Sequence, residues 1–260
     1  MRYKVLCGYI RQRWDCGDTV EIEEKHTGKY GARGQTREKK RKATPEEIKK
    51  HNQWKRERDV RRLIKWNFRE RDYWITLTYP KDYRPTWEEM KDHAGKLVRK
   101  MREKYKKQGW TLKYIYRLAI GSRGGRHIHI LINRESNEKT ATDLIITDLW
   151  EQQWGHGHVN FRTTYSEGGY KQLAEYLTKP LEEWEPDEVK RYHPSRNLIR
   201  KDPEVDEIKR RSLVDCDGTP RMPKAPKGYY VDPESIEVGI NPITHYAYRH
   251  YTLIKIKKRE

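Results

Sequence analysis

The run His127-Ile128-His129-Ile130-Leu131-Ile132 constrains the fold more than any other part of this chain. In an extended strand, side chains alternate between faces, so residues i and i+2 project the same way about 6.5 to 7 Å apart. Ile128, Ile130 and Ile132 must then cover a core on one side while His127 and His129 share the other. Two imidazoles so placed can hold one metal ion. An HxH in an apolar strand is also often a buried pair satisfied by backbone carbonyls, and the pattern alone leaves both readings open.

The neighbouring sequence supplies the rest of a sheet. Asp72 to Pro80 is β-branched and aromatic with a period of two, which reads as a strand ended by Pro. Lys113 to Ile120 and Arg126 to Asn133 flank the turn Gly121-Ser122-Arg123-Gly124-Gly125 and read as an antiparallel hairpin. A further strand is expected near His158 to Thr163. Thr44-Pro45-Glu46-Glu47 opens a helix running to about Asn67, with a capping hydroxyl, Pro in the first turn and acids at the positive dipole end. Thr86-Trp87-Glu88-Glu89 caps a second helix, in which Met90, Ala94, Leu97, Val98, Met101 and Tyr105 form an amphipathic face. Helices from about Thr142 to Trp154, and from Gly168-Gly169 to Pro180, complete the set. The expected fold class is α+β, an antiparallel central sheet carrying the HxH strand with helices packed on it. The organisation reads as a basic N-terminal segment over 1–67 that includes the first helix, a central domain over 68–200, and a polar linker with a strand-like extension over 201–260. Residues 1 to about 43 read as irregular, with a basic run at Arg37 to Lys42. Beyond Arg200, strand character is limited to Tyr229 to Val231 and Tyr246 to Ile256.

Charge narrows the partner. The 260 residues carry 57 Lys plus Arg against 39 Asp plus Glu, a formal charge of +18. Such a field gives salt-dependent, sequence-independent affinity for nucleic acid. No apolar run approaches the roughly twenty residues that span a bilayer, and the N-terminus lacks the apolar stretch of a signal peptide. A cytoplasmic location without membrane association is expected. Cys7, Cys16 and Cys216 are odd in number and dispersed, which argues against a disulfide framework.

Tyr176 and Lys179 sit three apart in a helical stretch, which places phenol and ammonium on one face. A chain with eighteen tyrosines and this much lysine also produces Tyr-x-x-Lys by accident. A divalent metal and a tyrosine nucleophile together suggest phosphodiester cleavage through a phosphotyrosine.

Trp74 to Pro80, Gly124 to Asn133 and Leu173 to Lys179, in that order, resemble the three motifs of the HUH endonucleases. Within that superfamily the chain is most similar to replication-associated proteins of single-stranded DNA phages and related bacterial mobile elements. Arg191-Tyr192-His193-Pro194-Ser195-Arg196-Asn197-Leu198 also looks like that group. The resemblance covers about residues 70 to 200. It implies a rolling-circle initiator that nicks and rejoins single-stranded or hairpin origin DNA through a 5′-phosphotyrosine in a bacterial host cell, alongside the host replication machinery. Tyr176 would be the nucleophile, His127 and His129 would hold Mg²⁺ or Mn²⁺, and Lys179 would lie beside the scissile phosphate. Arg123, Arg126, Lys171 and Arg196 are the expected DNA contacts.

Two departures stand out. Many relatives carry a Glu, Asp or Gln about eight residues before the first His to complete the metal site, whereas this chain has Ala119. The second HxH, His156 and His158, is expected to be loop or strand edge rather than ligand. Two-tyrosine initiators place another Tyr one helical turn earlier, where this chain has Gln172, and Tyr170 lies about 120° away, so a single nucleophile is expected. The alternatives are a non-catalytic DNA-binding module on the same fold, and a relaxase or transposase of the same superfamily. No Walker-type phosphate loop supports a large helicase-bearing relaxase.

Overall fold

The structure is a computed structural model that describes residues 8–27, 42–165, 167–186, 190–209, 213–241 and 244–256. Cys7 and the basic run Arg37 to Arg41 lie outside them. The strands are β1 (Tyr9–Asp15), β2 (Thr19–His26), β3 (Tyr73–Thr78), β4 (Tyr114–Ile120), β5 (Arg126–Ile132), β6 (His158–Thr163), β7 (His193–Pro194), β8 (Glu204–Ile208), β9 (Tyr229–Val231), β10 (Glu237–Ile240) and β11 (Ala247–Lys255). The helices are α1 (Pro45–Asn67), α2 (Trp87–Lys107), α3 (Thr142–Thr147) and α4 (Lys171–Thr178). The class is α+β, as the alternating patterns predict.

Contacts divide the chain into two compact units, residues 53–199 and residues 1–52 with 200–260. In the first, an antiparallel sheet runs β6-β3-β5-β4-β7. Its two faces separate by alternation. Ile128, Ile130 and Ile132, with Ile75, Leu77 and Leu118, are at most 3% exposed and pack against Met90, Leu97 and Met101 of α2 and Ile146, Leu149 and Trp150. At about 25 cal/mol per Å² of apolar surface, this layer is the main source of the unit's stability. Helix α2 begins where the sequence placed it, with Thr86 Oγ1 accepting from Glu89 N–H and the Glu89 carboxylate accepting from Thr86 N–H. Helix α3 continues as a wider π-helical turn, Asp148–Gln153.

The opposite face carries Ile115 and Leu131, covered by Val60, Leu63 and Ile64 of α1 and by Ala174 and Leu177 of α4. Gly169 and Tyr170 both adopt left-handed backbone, φ 58° and 62°, as the chain turns into α4. At Gly157 a Cβ would fall 2.2 Å from Thr78 O, so only glycine lets this loop approach the end of β3.

The second unit corrects the reading of residues 1 to 43 as irregular. β1 and β2 form a hairpin within a six-stranded sheet, ordered β10-β11-β2-β1-β8 with β9 on β11. Its interior holds charge as well as apolar side chains. The Glu24 carboxylate, fully buried, accepts from Arg11 Nε at 2.8 Å and from Arg249 Nε at 2.6 Å. Strands β8 and β10 are likewise additions to the polar C-terminal stretch. Among the described residues, no helix is long and apolar enough to cross a membrane.

Candidate active site

The covered face that is not purely apolar is where the candidate residues converge. Alternation along β5 puts His127 and His129 on it, and the ladder register places Thr78 and Thr76 of β3 opposite them on one side. On the other side stand Ala119 and Arg117 of β4. The two imidazole centres are 6.1 Å apart. Helix α4 lies over this face, and Tyr176 reaches down from it.

Tyr176 Oη lies 2.6 Å from His129 Nε2, and His129 Nδ1 lies 3.1 Å from Thr76 Oγ1. Trp74 stacks on His129 with planes 9° apart and meets the Tyr176 ring edge-on. The tautomer with Nδ1–H donating to Thr76 leaves the Nε2 lone pair aimed at the phenol, which is the form that accepts a proton or ligates a metal. Burial, with the neighbouring charges of His127 and Arg117, holds His129 down to about 4. Burial also lowers His127, so both imidazoles are neutral near pH 7. His127 Nδ1 is buried with no hydrogen-bond partner among the described residues.

Burial raises the Tyr176 phenol, Arg117 opposes that rise, and Glu185 adds to it. Arg117 is the residue that sequence reasoning missed. Its guanidinium donates to Tyr176 O at 3.3 Å, Leu177 O at 3.5 Å and Lys179 O at 2.6 Å, gathering the carbonyls at the end of α4. A cation there suits the negative end of the helix dipole. Glu185 pairs with it and accepts from Ile120 N–H at 3.2 Å.

Lys179 departs from the sequence expectation. It stands just past α4 with φ −43° and ψ 136°, and its ammonium pairs with the Glu182 carboxylate. It is not on a shared helical face with Tyr176. Arg123 in the hairpin turn, Lys171 at the start of α4 and Arg196 are exposed. Arg126 is tied to backbone, donating to Pro85 O at 3.2 Å and Gly124 O at 3.0 Å.

A metal–nitrogen bond of about 2.1 Å sets ring centres at most about 6.5 Å apart when two imidazoles share one ion. The observed 6.1 Å falls inside that limit. The two neutral rings and the orphaned His127 nitrogen therefore fit an ion. A third protein ligand is not gathered there: among the described residues, no group of three or more His, Cys, Asp or Glu side chains is placed to hold a metal. Ala119 faces His127 directly, where a carboxylate would complete the set. His158 pairs with Glu151 at 2.9 Å, and His156 packs among His93, Trp150 and Trp154.

Residues 72–181 match the model of a family of replication-associated proteins, the ORF2 family. The matched segment spans β3 to the end of α4, and so contains His127, His129, Arg117 and Tyr176. The match supports a replication-initiator role. No curated protein and no solved structure matches the chain.

Proposed function

We propose that the protein is a rolling-circle replication initiator of the HUH type, nicking and rejoining single-stranded or hairpin origin DNA through a covalent bond to Tyr176. The observation that carries this reading is the 2.6 Å contact between Tyr176 Oη and His129 Nε2, which brings the helix tyrosine onto the histidine strand. The net charge of +18 supplies the affinity for the polyanion.

In the nicking step the phenolic oxygen attacks phosphorus and the P–O3′ bond breaks. The 3′-oxygen leaves as a free hydroxyl after taking a proton, and a 5′-phosphotyrosine remains. Rejoining reverses this, with the 3′-hydroxyl attacking and the tyrosine leaving. Ionising a free phenol at pH 7 costs about 4 kcal/mol, and burial raises that cost. His129 alone cannot meet it. The gap between its value of about 4 and an ordinary phenol near 10 makes direct proton transfer uphill by about 8 kcal/mol.

His127 and His129 are the residues that would hold Mg²⁺ or Mn²⁺. Bound there, the ion would polarise the phosphate and favour negative charge on the attacking oxygen. Arg117 adds a fixed positive charge beneath the helix end, and Thr76 holds the His129 ring. Tyr176 is the one tyrosine of α4 on this site, since Gln172 replaces a partner one turn earlier and the buried Tyr170 packs with the α1 cluster.

The test is incubation with pooled single-stranded oligonucleotides and Mn²⁺, followed by denaturation. The expected result is a protein–DNA adduct that maps to Tyr176 by mass spectrometry and disappears in Tyr176→Phe. DNA bound tightly with no adduct under any metal would leave the non-catalytic module instead.

A further inference from the structure

The stretch that follows α4 is fastened to the end of β4. Ile120 N–H donates to Glu185 Oε1 at 3.2 Å, while Trp184 Nε1–H donates to Ile120 O at 2.7 Å. Glu185 Oε2 also accepts from Glu182 N–H at 3.0 Å and meets Arg117. The polar edge of the Trp184 indole is therefore held on a strand, through a neighbour that is itself buried and paired. The ring is nonetheless 48% exposed.

Singly exposed apolar side chains are ordinary on protein surfaces. Leu144 and Met222, both 60% exposed, are of that kind, with no polar group to hold them. Trp184 differs in being fixed and in where it is fixed. Ile120 adjoins Ala119, the ladder partner of His127, so the indole is anchored one residue beyond the histidine pair. A large π face that is already ordered loses little conformational freedom when it takes a partner. Around this end of the sheet lie the exposed Arg123 and Lys179, which suit a chain of phosphates.

We infer that Trp184 is a stacking platform for one unpaired DNA base next to the phosphate that Tyr176 attacks. This rests on the nicking reading for its location, but not for the binding it predicts. Stacking on an aromatic side chain tolerates any base, because every base has a π face. The platform would hold the strand in register without reading its sequence.

The experiment measures binding of a fluorescein-labelled dT12 by anisotropy in EDTA, where no cleavage is required. It compares the full-length chain with Trp184→Ala, Trp184→Leu and Trp184→Phe. A second probe is a twelve-unit strand of abasic spacers, which keeps the phosphates and removes the bases. Trp184→Ala and Trp184→Leu should weaken dT12 binding about 5- to 100-fold, and Trp184→Phe should recover most of it. The abasic strand should bind all four proteins alike. Trp184→Leu keeps apolar bulk, so it decides the matter if the alanine variant does not fold. Unchanged dT12 affinity in the leucine variant, or an equal loss for the abasic strand, would overturn the inference. Failure of adduct formation at Tyr176 would not alter these affinities, so the two ideas fail separately.

Discussion

Arg117 and Glu185 form an ion pair at 3.4 Å with side chains only 4% and 1% exposed, directly under the end of the helix that carries Tyr176. The pair gives the nucleophile helix a fixed floor, because Arg117 directs its remaining donors to the carbonyls of Tyr176, Leu177, Lys179 and Pro180. Breaking a buried pair by removing one partner typically costs about 3 to 5 kcal/mol, since the other charge stays buried. Glu185→Leu should therefore lower the unfolding free energy by about that amount. Urea unfolding of the two proteins checks it, and a loss below about 1 kcal/mol would mean that Arg117 finds equivalent compensation elsewhere.

Thr76 controls which nitrogen of His129 faces the phenol. Replacing it with valine keeps the shape and removes the oxygen 3.1 Å from Nδ1. Supporting groups of this kind are commonly worth about 10- to 100-fold in metal affinity or activity. Thr76→Val should slow adduct formation by about that factor while leaving metal-free binding of single-stranded DNA unchanged. Equal rates for the two proteins would show that stacking on Trp74 suffices to orient the ring.

The sheet around this site was legible because each strand obeys a local rule. β6 has the bounds read from its alternation, His158 to Thr163, and the hairpin strands β4 and β5 agree within one residue with a turn marked by three glycines. The hairpin β1–β2 was not legible. Val20 and Ile22 alternate with Glu21 and Glu23, and Glu24 is buried only because Arg249, 225 residues away, reaches it. At the site, alternation announced the two histidines and helical spacing suggested Tyr176. Helical spacing misplaced Lys179, because Pro180 ends the helix before its turn is complete. Nothing local distinguishes Arg117, an arginine in a strand, from a solvent-facing one, since its role comes from carbonyls about sixty residues later.

His156 should make stability sensitive to acid. Its ring centre lies 4.1 Å from that of His93, and burial, followed by the charges of His93 and Lys96, holds it at about 4. His93 is lowered by its own burial and by Lys96, against Asp92 and Glu89, while its Nδ1 lies 3.1 Å from Tyr79 Oη. The folded value lies below the unfolded 6.5, so the unfolded chain takes up the proton first as pH falls. Stability is complete above about 6.5 and is lost between there and about 4. His156→Phe retains an aromatic ring among Trp150 and Trp154 and cannot titrate. From pH 7 to pH 4.5 it should lose on the order of 1 to 2 kcal/mol less than the parent, allowing for partial exposure. Urea unfolding at the two pH values measures this, and equal losses would assign the acid sensitivity to other groups.

Ala119 offers the most direct test of the metal centre. The β4–β5 register sets it opposite His127, and facing side chains on one side of such a ladder have Cβ atoms about 4.5 to 5.5 Å apart. The position is half-buried rather than sealed, so a carboxylate there keeps some access to water and its desolvation cost is moderate. A hard anionic oxygen added to two imidazoles strengthens binding of Mg²⁺ and Mn²⁺, and favours Mg²⁺ relative to softer ions. Ala119→Glu should lower the metal concentration for half-maximal adduct formation by about tenfold or more. Ala119→Gln, which is neutral, should give a smaller gain. Titrating Mg²⁺ and Mn²⁺ against the rate for each folded variant separates the outcomes. An unchanged or raised requirement in Ala119→Glu would mean that the ion takes its remaining ligands from the DNA and from water, and that the carboxylate side of the site has no role in this chain.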